Sequence, residues 1–580
     1  MNGNKKLIIL ALVLLVTVFG VLTACKGSKA GDGETVVVTD ENGVPITDEN
    51  GEAITVVLQT KIVDVTNENG EKVYDENGKV KTSVVYIAQE VGIPVTDENG
   101  KAVTDANGDV LTTMITVPPT TNGPTTSVVP VTDENGEYVT NENGETETTI
   151  VTSPGTPAMP GSNNSDWGAT FGGSGNDQFV DTAALSDGGF VALMQSNSKD
   201  GSMSALAGNS ATPIPVLIKY KKNGTVAWQK AISSDSGIVV SGLAVDKDDN
   251  IAVSGYTKSR NLGFTNGGDY DAVLFKFNDR GDMQWQQSFG GSLTDGYEAV
   301  AATPDGGFVA IGYSSSANGT GASLGLSAAH SASIMVKYSA DGRVQFMKSF
   351  GSTGDSLMDV DVDDNGNIYA VGNVSSKDGY RLFDSFGRTD AAILKLSANG
   401  DTLWVKQYGG SDVENFPAIT VASDGGCVIA GRSRSKDHNL ASLSNHGNAD
   451  GILVKFNEDG TQAWERGFRG YADDSFTDIV RTADGGYAAV GYSGSSNRDL
   501  KPIGNRGGSD GFVVTLSASG RINSVQGYGG SLDDRFNALC VLKNGQMIAC
   551  GSTLSVDGDL VGSGTRSDGK STVGMIARFS

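Results

Sequence analysis

The sequence predicts an all-β protein: a seven-bladed β-propeller of four-stranded blades, closed by the N-terminal strand of the repeat region and preceded by an extended acidic repeat stalk. Three observations lead there. Residues 165–580 repeat seven times, with Trp167, Trp228, Trp285, Trp404 and Trp464 in register, Phe346 and Ser524 in the two gaps, and steps of 57 to 61 residues; a fixed period of this size is the mark of a repeat architecture. Glycine supplies 79 of 580 residues, about twice its usual ~7% share, which favours turn-rich β structure over helix. The last repeat stops at Ser580 after its third strand, and Asp166 to Phe171 reads as the missing fourth, so the ends would join and hide two open strand edges.

The N-terminal segment comes first in order. Lys5 and Lys6 precede an apolar run from Leu7 to Ala24, the layout of a secretory signal. Leu22-Thr23-Ala24-Cys25 resembles the lipobox of bacterial lipoproteins. That resemblance implies residues 1–24 as a signal peptide, diacylglycerol on the Cys25 sulfur, and an extracytoplasmic protein anchored to the cell membrane.

Residues 25–152 are read as the stalk and 153–164 as a Ser/Pro/Gly linker. Between residues 26 and 164 there are 23 acids, 7 bases and no Trp or Phe, too little apolar surface for a compact core. One phrase recurs in pairs: Asp40-Glu41-Asn42-Gly43 with Asp48-Glu49-Asn50-Gly51, then pairs ending at Gly70 and Gly78, Gly100 and Gly108, and Gly136 and Gly144. Asn-Gly is a strong turn signal because both residues accept positive φ. Four small turn-bearing modules follow, or an extended chain with transient hairpins, with a solvated spacer role favoured over calcium binding by the turns.

Within the 165–580 propeller the third repeat serves as a template. Tyr297 to Thr303 reads as strand A, Asp305-Gly306-Gly307 as a turn, Phe308 to Gly312 as strand B, Ile334 to Tyr338 as strand C after a long polar loop, and Arg343 to Phe350 as strand D. Strands B and C are unbroken apolar runs, as expected when both faces are covered. Strand D alternates better, which suits an outer strand. The second repeat departs, with Asp248-Asp249-Asn250 in place of Asp-Gly-Gly, and the first carries Met194 where the others have Gly.

These units resemble bacterial cell-surface proteins built of β-propeller repeats, through Gly290-Gly291-Ser292 with Asp295, Asp305-Gly306-Gly307-Phe308, Asp271 to Lys276, and Gly281 with Trp285. Asp557-Gly558-Asp559 and Asn445-His446-Gly447 are similar to loop motifs of that group. The resemblance names no activity.

Several motifs imitate chemistry. Gly564 to Ser571 matches the phosphate-loop pattern, but a final strand follows where a helix is required. Gly321-Ala322-Ser323-Leu324-Gly325, near His330, matches a nucleophile elbow outside the α/β setting that the elbow needs. Asp361 to Gly366 begins like an EF-hand loop, but the twelfth position is Gly372 and not Glu. Arg280-Gly281-Asp282 lies at an expected hairpin tip. If Asn544-Gly545 is a two-residue turn, Cys540 faces Ala549 and points away from Cys550, so no disulfide is expected, and three buried thiols are.

The candidate ligand or cation face is a set of acids after strand D: Asp177, Asp295, Asp355, Glu414, Asp474 and Asp534. Their recurrence in six of seven blades favours a structural role, because turn chemistry repeats with a fold. Asp557 and Asp559 are candidate metal ligands, with calcium as the ion, and no other cofactor is called. The asymmetric candidates are the B-to-C loops, from Leu382 to Arg388 and from His438 to His446, with Tyr380 and Phe383 as aromatic contacts.

The net charge of -25 argues against nucleic acid, whose binding rests on Lys and Arg, and three His limit metal and His-dependent chemistry. The leading expectation is a monomeric, lipid-anchored binding or adhesion protein that recognises a glycan, a surface protein or a cell-wall component, with no catalytic residues and no nucleotide. The alternatives are an extracellular carbohydrate-active enzyme using paired carboxylates and an envelope assembly scaffold. An enzyme should show blade-specific acids of shifted pKa in a deep pocket, a binder exposed aromatics on loops, and a scaffold a broad apolar patch.

Overall fold

The computed structural model describes residues 167–580, apart from 209, 261, 264–266, 327–330, 352–354, 376–384, 444, 447, 561–568 and 580, and the backbone of eight short strands between residues 35 and 153. Cys25, the Asn-Gly phrases, the linker, His330, Tyr380 and Phe383 lie outside the described residues. The chain divides into two units, Met1–Ser153 and Pro154–Ser580.

In the first unit the described strands pair two by two: Thr35–Val37 with Thr55–Val57, Gln59–Asp64 with Thr82–Ile87, Gln89–Pro94 with Thr112–Val117, and Thr125–Pro130 with Thr148–Ser153. Each antiparallel pair brackets one pair of Asn-Gly phrases, and its strands are rich in Val, Ile and Thr, which suit extended backbone.

The second unit is a ring of seven four-stranded antiparallel sheets, each in the order A-B-C-D from axis to rim. The A strands are Asp177–Ala184, Ile238–Val245, Asp295–Ala302, Ser356–Val362, Glu414–Val421, Asp474–Arg481 and Asp534–Val541 in blades 1 to 7. Blade 7 is completed by Trp167–Phe171, which pairs antiparallel with Val573–Phe579. Blade 7 packs on blade 1 through a shared apolar cluster that includes Phe179, Ile218, Cys550 and Ile576. Six further clusters fill the other seams, one per adjoining pair of blades. Blades 1 and 2, despite Met194 and Asp248-Asp249-Asn250, keep the same register and the same bulge in strand A as the rest.

The repeated Trp acts between blades. The indole Nε1 atoms of Trp228, Trp285, Trp404 and Trp464 donate to carbonyls in the C-to-D turn of the next blade, those of Asp279, Ala340, Glu458 and Ala518, at 2.9 to 3.1 Å. The turn glycine rests on the ring: a Cβ on Gly520 would come within 2.7 Å of Trp464, and its φ of +74° is one that side chains avoid. Strand C ends in a buried Lys that ties the same region to an A-to-B turn, as in Lys337 to Asp305 at 3.1 Å and Lys455 to Asp424 at 2.8 Å.

The A-to-B turns correct one expectation. In blade 7 the closing pair is Leu542 with Gln546, leaving the three residues 543–545 in the loop with Gly545 at φ +85°. This is a type I turn followed by a left-handed glycine, not a two-residue turn. The register moves by one, so Cys540 faces Ile548 and Cys550 faces Ala538. Cys427, Cys540 and Cys550 are free, buried thiols.

Candidate functional site at the loop-bearing end of the channel

The D-to-A and B-to-C loops share one end of the ring, where strand A begins and strand B ends. The first acid of strand A organises that end. The Asp177 Oδ1 accepts from the Ser196 hydroxyl at 2.5 Å and its Oδ2 from the Gly173 amide and the Ser198 hydroxyl, both at 2.7 Å. The same hub recurs at Asp295 with Ser314, Gly291 and Ser316. It recurs at Glu414 with Ser433 and Gly410, at Asp474 with Ser493 and Ser495, and at Asp534 with Thr553, Gly530 and Ser555. Asp355 of blade 4 accepts the Ser375 amide at 3.1 Å, next to Val374 where other blades carry Ser or Thr. All six acids are buried. Each fastens a D-to-A loop to the start of a B-to-C loop, which makes the acids clamps beneath the face.

A second acid, the first residue of strand C, meets the hub at four seams: Asp271 with Asp295, Asp390 with Glu414, Asp450 with Asp474, and Asp510 with Asp534. Burial raises Asp271, Asp390, Glu414, Asp450, Asp474, Asp510 and Asp534, and the partner acid's charge adds to this at Asp271, Glu414, Asp474 and Asp510; Asp474 and Asp510 are pushed up to about 6. The Oδ1 atoms of Asp271, Asp390 and Asp510 are buried without a hydrogen-bond donor. A Cβ on the intervening glycine would strike both acids, at 2.4 and 2.8 Å for Gly290 and at 2.7 Å to each for Gly529. Two acids this close ionise together only at high cost.

Further along the axis the channel encloses a cavity of about 440 Å³ lined by A strands. Asp181, Asp359 and Asp478 enter it at the same place in blades 1, 4 and 6. Each accepts an amide of the next blade, those of Leu243, Ile419 and Leu539, at 2.7 to 2.8 Å. The next blade offers Gly242, Ala418 or Ala538 at the matching position, which leaves room for the carboxylate. Burial raises Asp181 to about 7 and Asp478 to about 6.

Sequence reasoning missed one position. In strand B a Gly and a Ser or Thr recur almost unchanged, and the residue between them differs in most blades: Gln195, Tyr256, Tyr313, Asn373, Arg432, Tyr492 and Ser552. In six blades it is the one partly exposed residue of an otherwise buried strand, at the loop-bearing mouth. In blades 2 to 7 the preceding residue is a glycine pressed by the bulged A strand, whose carbonyl would lie 1.9 Å from a Cβ on Gly491 and 2.1 Å from one on Gly431, whereas blade 1 buries Met194 there. That blade-to-blade change between fixed neighbours was the available signal.

The mouth is electrically uneven. Around blades 2 and 3, Tyr256 and Tyr313 lie in the field of Glu298, and burial first and Glu298 next push Tyr313 up to about 12. Tyr256 packs edge-on against Tyr270 at 5.4 Å, with Lys258 over the Tyr270 ring at 4.2 Å. Around blades 4 to 6, Asn373 donates to Asn415 at 2.9 Å and Arg432 to the Tyr492 hydroxyl at 3.2 Å. Two aromatics stand out on the loops above: Phe386 stacked on His438 at 4.8 Å, and Tyr471, 62% exposed, beneath the Arg498 guanidinium at 4.8 Å.

The remaining candidates are placed as follows. Asp557 accepts the Ser531 amide at 2.7 Å, whereas Asp559 is paired with Arg506 at 2.7 Å. Among the described residues no three His, Cys, Asp or Glu side chains converge to hold a metal. Ser323 lies in a short 3-10 turn, Gly319–Leu324, between strands. Of the phosphate-loop match, residues 564–568 lie outside the described set, and Val573–Phe579 after it is a strand. Asp363 of the EF-hand-like stretch caps its own turn through the Asn365 and Asn367 amides, and Asp282 of Arg280-Gly281-Asp282 pairs with Lys230 at 2.9 Å.

Comparison with known proteins adds little chemistry. No family model matches the chain. A stretch of 157 residues is 26% identical to the Regulatory protein FlaEY of Caulobacter vibrioides, covering 25% of this chain and 16% of that protein's length. Among solved structures, a gluconolactonase of Xanthomonas campestris is similar at 11% identity and a TM-score of 0.30, over 65% of this chain and 93% of its own. The β-propeller domain of the Trilobed protease of Pyrococcus furiosus aligns at 7% identity and 0.36, over 65% and 91%. A Hadza microbial sialidase aligns at 9% and 0.33, over 61% and 65%. At these values none of them bears on what this chain does.

Proposed function

We propose that this chain is a recognition protein that binds a glycan at the loop-bearing mouth of its propeller, held outside the cytoplasm by lipid on Cys25. One observation carries the reading. A single strand position, framed in most blades by a glycine and a clamped hydroxyl, presents Gln, Tyr, Tyr, Asn, Arg and Tyr around one opening. Amide, phenol and guanidinium groups on a stiff frame suit hydroxyl-rich ligands, and exposed aromatics such as Tyr471 suit the apolar faces of sugar rings. The test is glycan-array binding by the full chain, with Tyr313→Ala and Tyr492→Ala beside it. Saturable binding to one glycan class, lost in these variants while their unfolding curves are unchanged, supports the reading. Binding that survives both substitutions removes it.

A second reading, a carbohydrate-active enzyme, draws on the channel acids. Asp181 and Asp478 are blade-specific and have raised pKa values, the pattern expected of acid catalysts. Against it, the oxygens of both already accept backbone amides. Hydrolysis of any glycan the array identifies, abolished by Asp181→Asn, would favour the enzyme.

A further inference from the structure

We infer that the mouth at blades 5 to 7 reads an oxyanion on its glycan, a carboxylate or sulfate, through Arg432 and Arg434. The inference rests on the recognition reading and adds the ligand's charge. The chain carries a net charge of -25, so a site for an anion must be built locally against the overall field.

Blade 5 builds one. Where strand B runs out into its loop, Arg432, Arg434 and Lys436 alternate with Ser433 and Ser435. Both serines are buried. Ser433 donates to the Glu414 hub at 2.7 Å, and Ser435 accepts the Asp412 amide at 2.8 Å. Alternation in extended backbone sends the three bases to the opposite side. Arg432 is half-buried, and Arg434 and Lys436 are exposed. No other blade carries an Arg at either of the first two positions.

Three other bases on this face are already paired with acids: Arg469 with Asp499 at 2.8 Å, Arg506 with Asp559 at 2.7 Å, and Arg388 near Asp412 at 3.9 Å. Asp437, next to Lys436, is engaged by the Ser411 amide and by His438. Arg432 contacts the neutral Tyr492 hydroxyl instead. On the far side of blade 6, Arg535 donates to the Gln178 amide oxygen at 3.5 Å.

A guanidinium presents a planar fork that matches a carboxylate or sulfate with two parallel bonds. Tyr492 and the Asn373–Asn415 pair beside it offer donors and acceptors for the hydroxyls of the same sugar. This combination points to a charged glycan and not to a bare inorganic anion.

The experiment measures binding of the full chain to polygalacturonate, to the same polymer methyl-esterified, to dextran sulfate and to neutral dextran. The expected result is binding to polygalacturonate or dextran sulfate, whichever oxyanion is read, that is screened by salt. It should weaken about tenfold or more in Arg432→Ala and in Arg434→Ala. Arg434 is exposed, so its variant should unfold like the parent, which separates lost recognition from lost structure. Equal binding to the methyl ester, or unchanged binding by both variants, overturns the charge reading and leaves glycan recognition standing. Binding of inorganic sulfate alone, with none of the polymers retained, overturns both.

Discussion

The two ends of each blade obey opposite rules. At the end bearing the C-to-D turns the fittings repeat: six blades carry an aromatic on strand D, turn glycines rest on these rings, and the indoles of Trp228, Trp285, Trp404 and Trp464 bond to the next blade. At the loop-bearing end the frame repeats in most blades, with an acid hub, a glycine and a hydroxyl, but the residue inside the frame changes around the ring. Repeated chemistry marks what closes a propeller. Chemistry that varies within a repeated frame marks what the closed propeller can present to a ligand.

Neighbouring residues of blade 6 break the comparison most sharply. Gly491→Ala puts a Cβ 1.9 Å from the Ser475 carbonyl, and the strands must part; a loss of roughly 3 kcal/mol or more is expected in chemical denaturation. Tyr492→Ser, one residue on and partly exposed, should cost under about 1 kcal/mol and act on binding instead. Equal losses at the two sites would erase the distinction between frame and content.

The two acids of one seam come next. Asp534→Ala strands the Gly530 amide and the hydroxyls of Thr553 and Ser555, at a cost of about 3 kcal/mol. Asp510→Asn should do the reverse at neutral pH. Its amide can donate to Asp534 from the place of the orphan Oδ1 while its oxygen keeps the Arg506 amide, a gain of about 1 kcal/mol. Destabilisation by Asp510→Asn at pH 7.5 would show that the two carboxylates do not oppose each other there.

The seams and the channel together set a pH dependence. Asp181 is raised to about 7, and Asp474, Asp478 and Asp510 to about 6. A raised carboxyl binds its proton more tightly when folded. Its contribution is therefore complete below the ordinary carboxylate pKa near 4 and is lost as the pH climbs through 6 to 7. Melting temperature should fall between pH 5 and pH 8, and Asp510→Asn should flatten part of that slope. A curve that rises over this range would contradict the assignment.

The smallest effect belongs to the rim. Trp404→Phe removes the 2.9 Å bond to the Glu458 carbonyl but keeps a ring under the next turn, an arrangement that blade 3 already uses with Phe346 against Gly400. About 1 kcal/mol is expected by thermal denaturation. A much larger loss would mean that the indole, and not the ring face, holds adjoining blades together.

Much of the fold was legible in the sequence because it depends on local, repeated chemistry. The Trp register, the turn glycines and the displaced closing strand each read out one blade at a time. The Cys540 register was not, since a two-residue and a three-residue loop share the same Asn-Gly signal and differ only in which backbone pair closes. The hub acids were legible as a recurring set but not as buried clamps. Their partners lie about 20 residues away across a strand and a loop, and those of Asp271, Asp390 and Asp510 lie in the next blade.

By itself, then, the sequence determined the number of blades, the strands within each and the way the ring closes, because these follow from short-range patterning of apolar residues, glycines and turns. Only the tertiary structure decided which polar groups are spent inside and which face a ligand. Bulged A strands press a carbonyl against one glycine, turn the residue after it into the mouth, and bring together around one opening side chains some 60 residues apart in the chain.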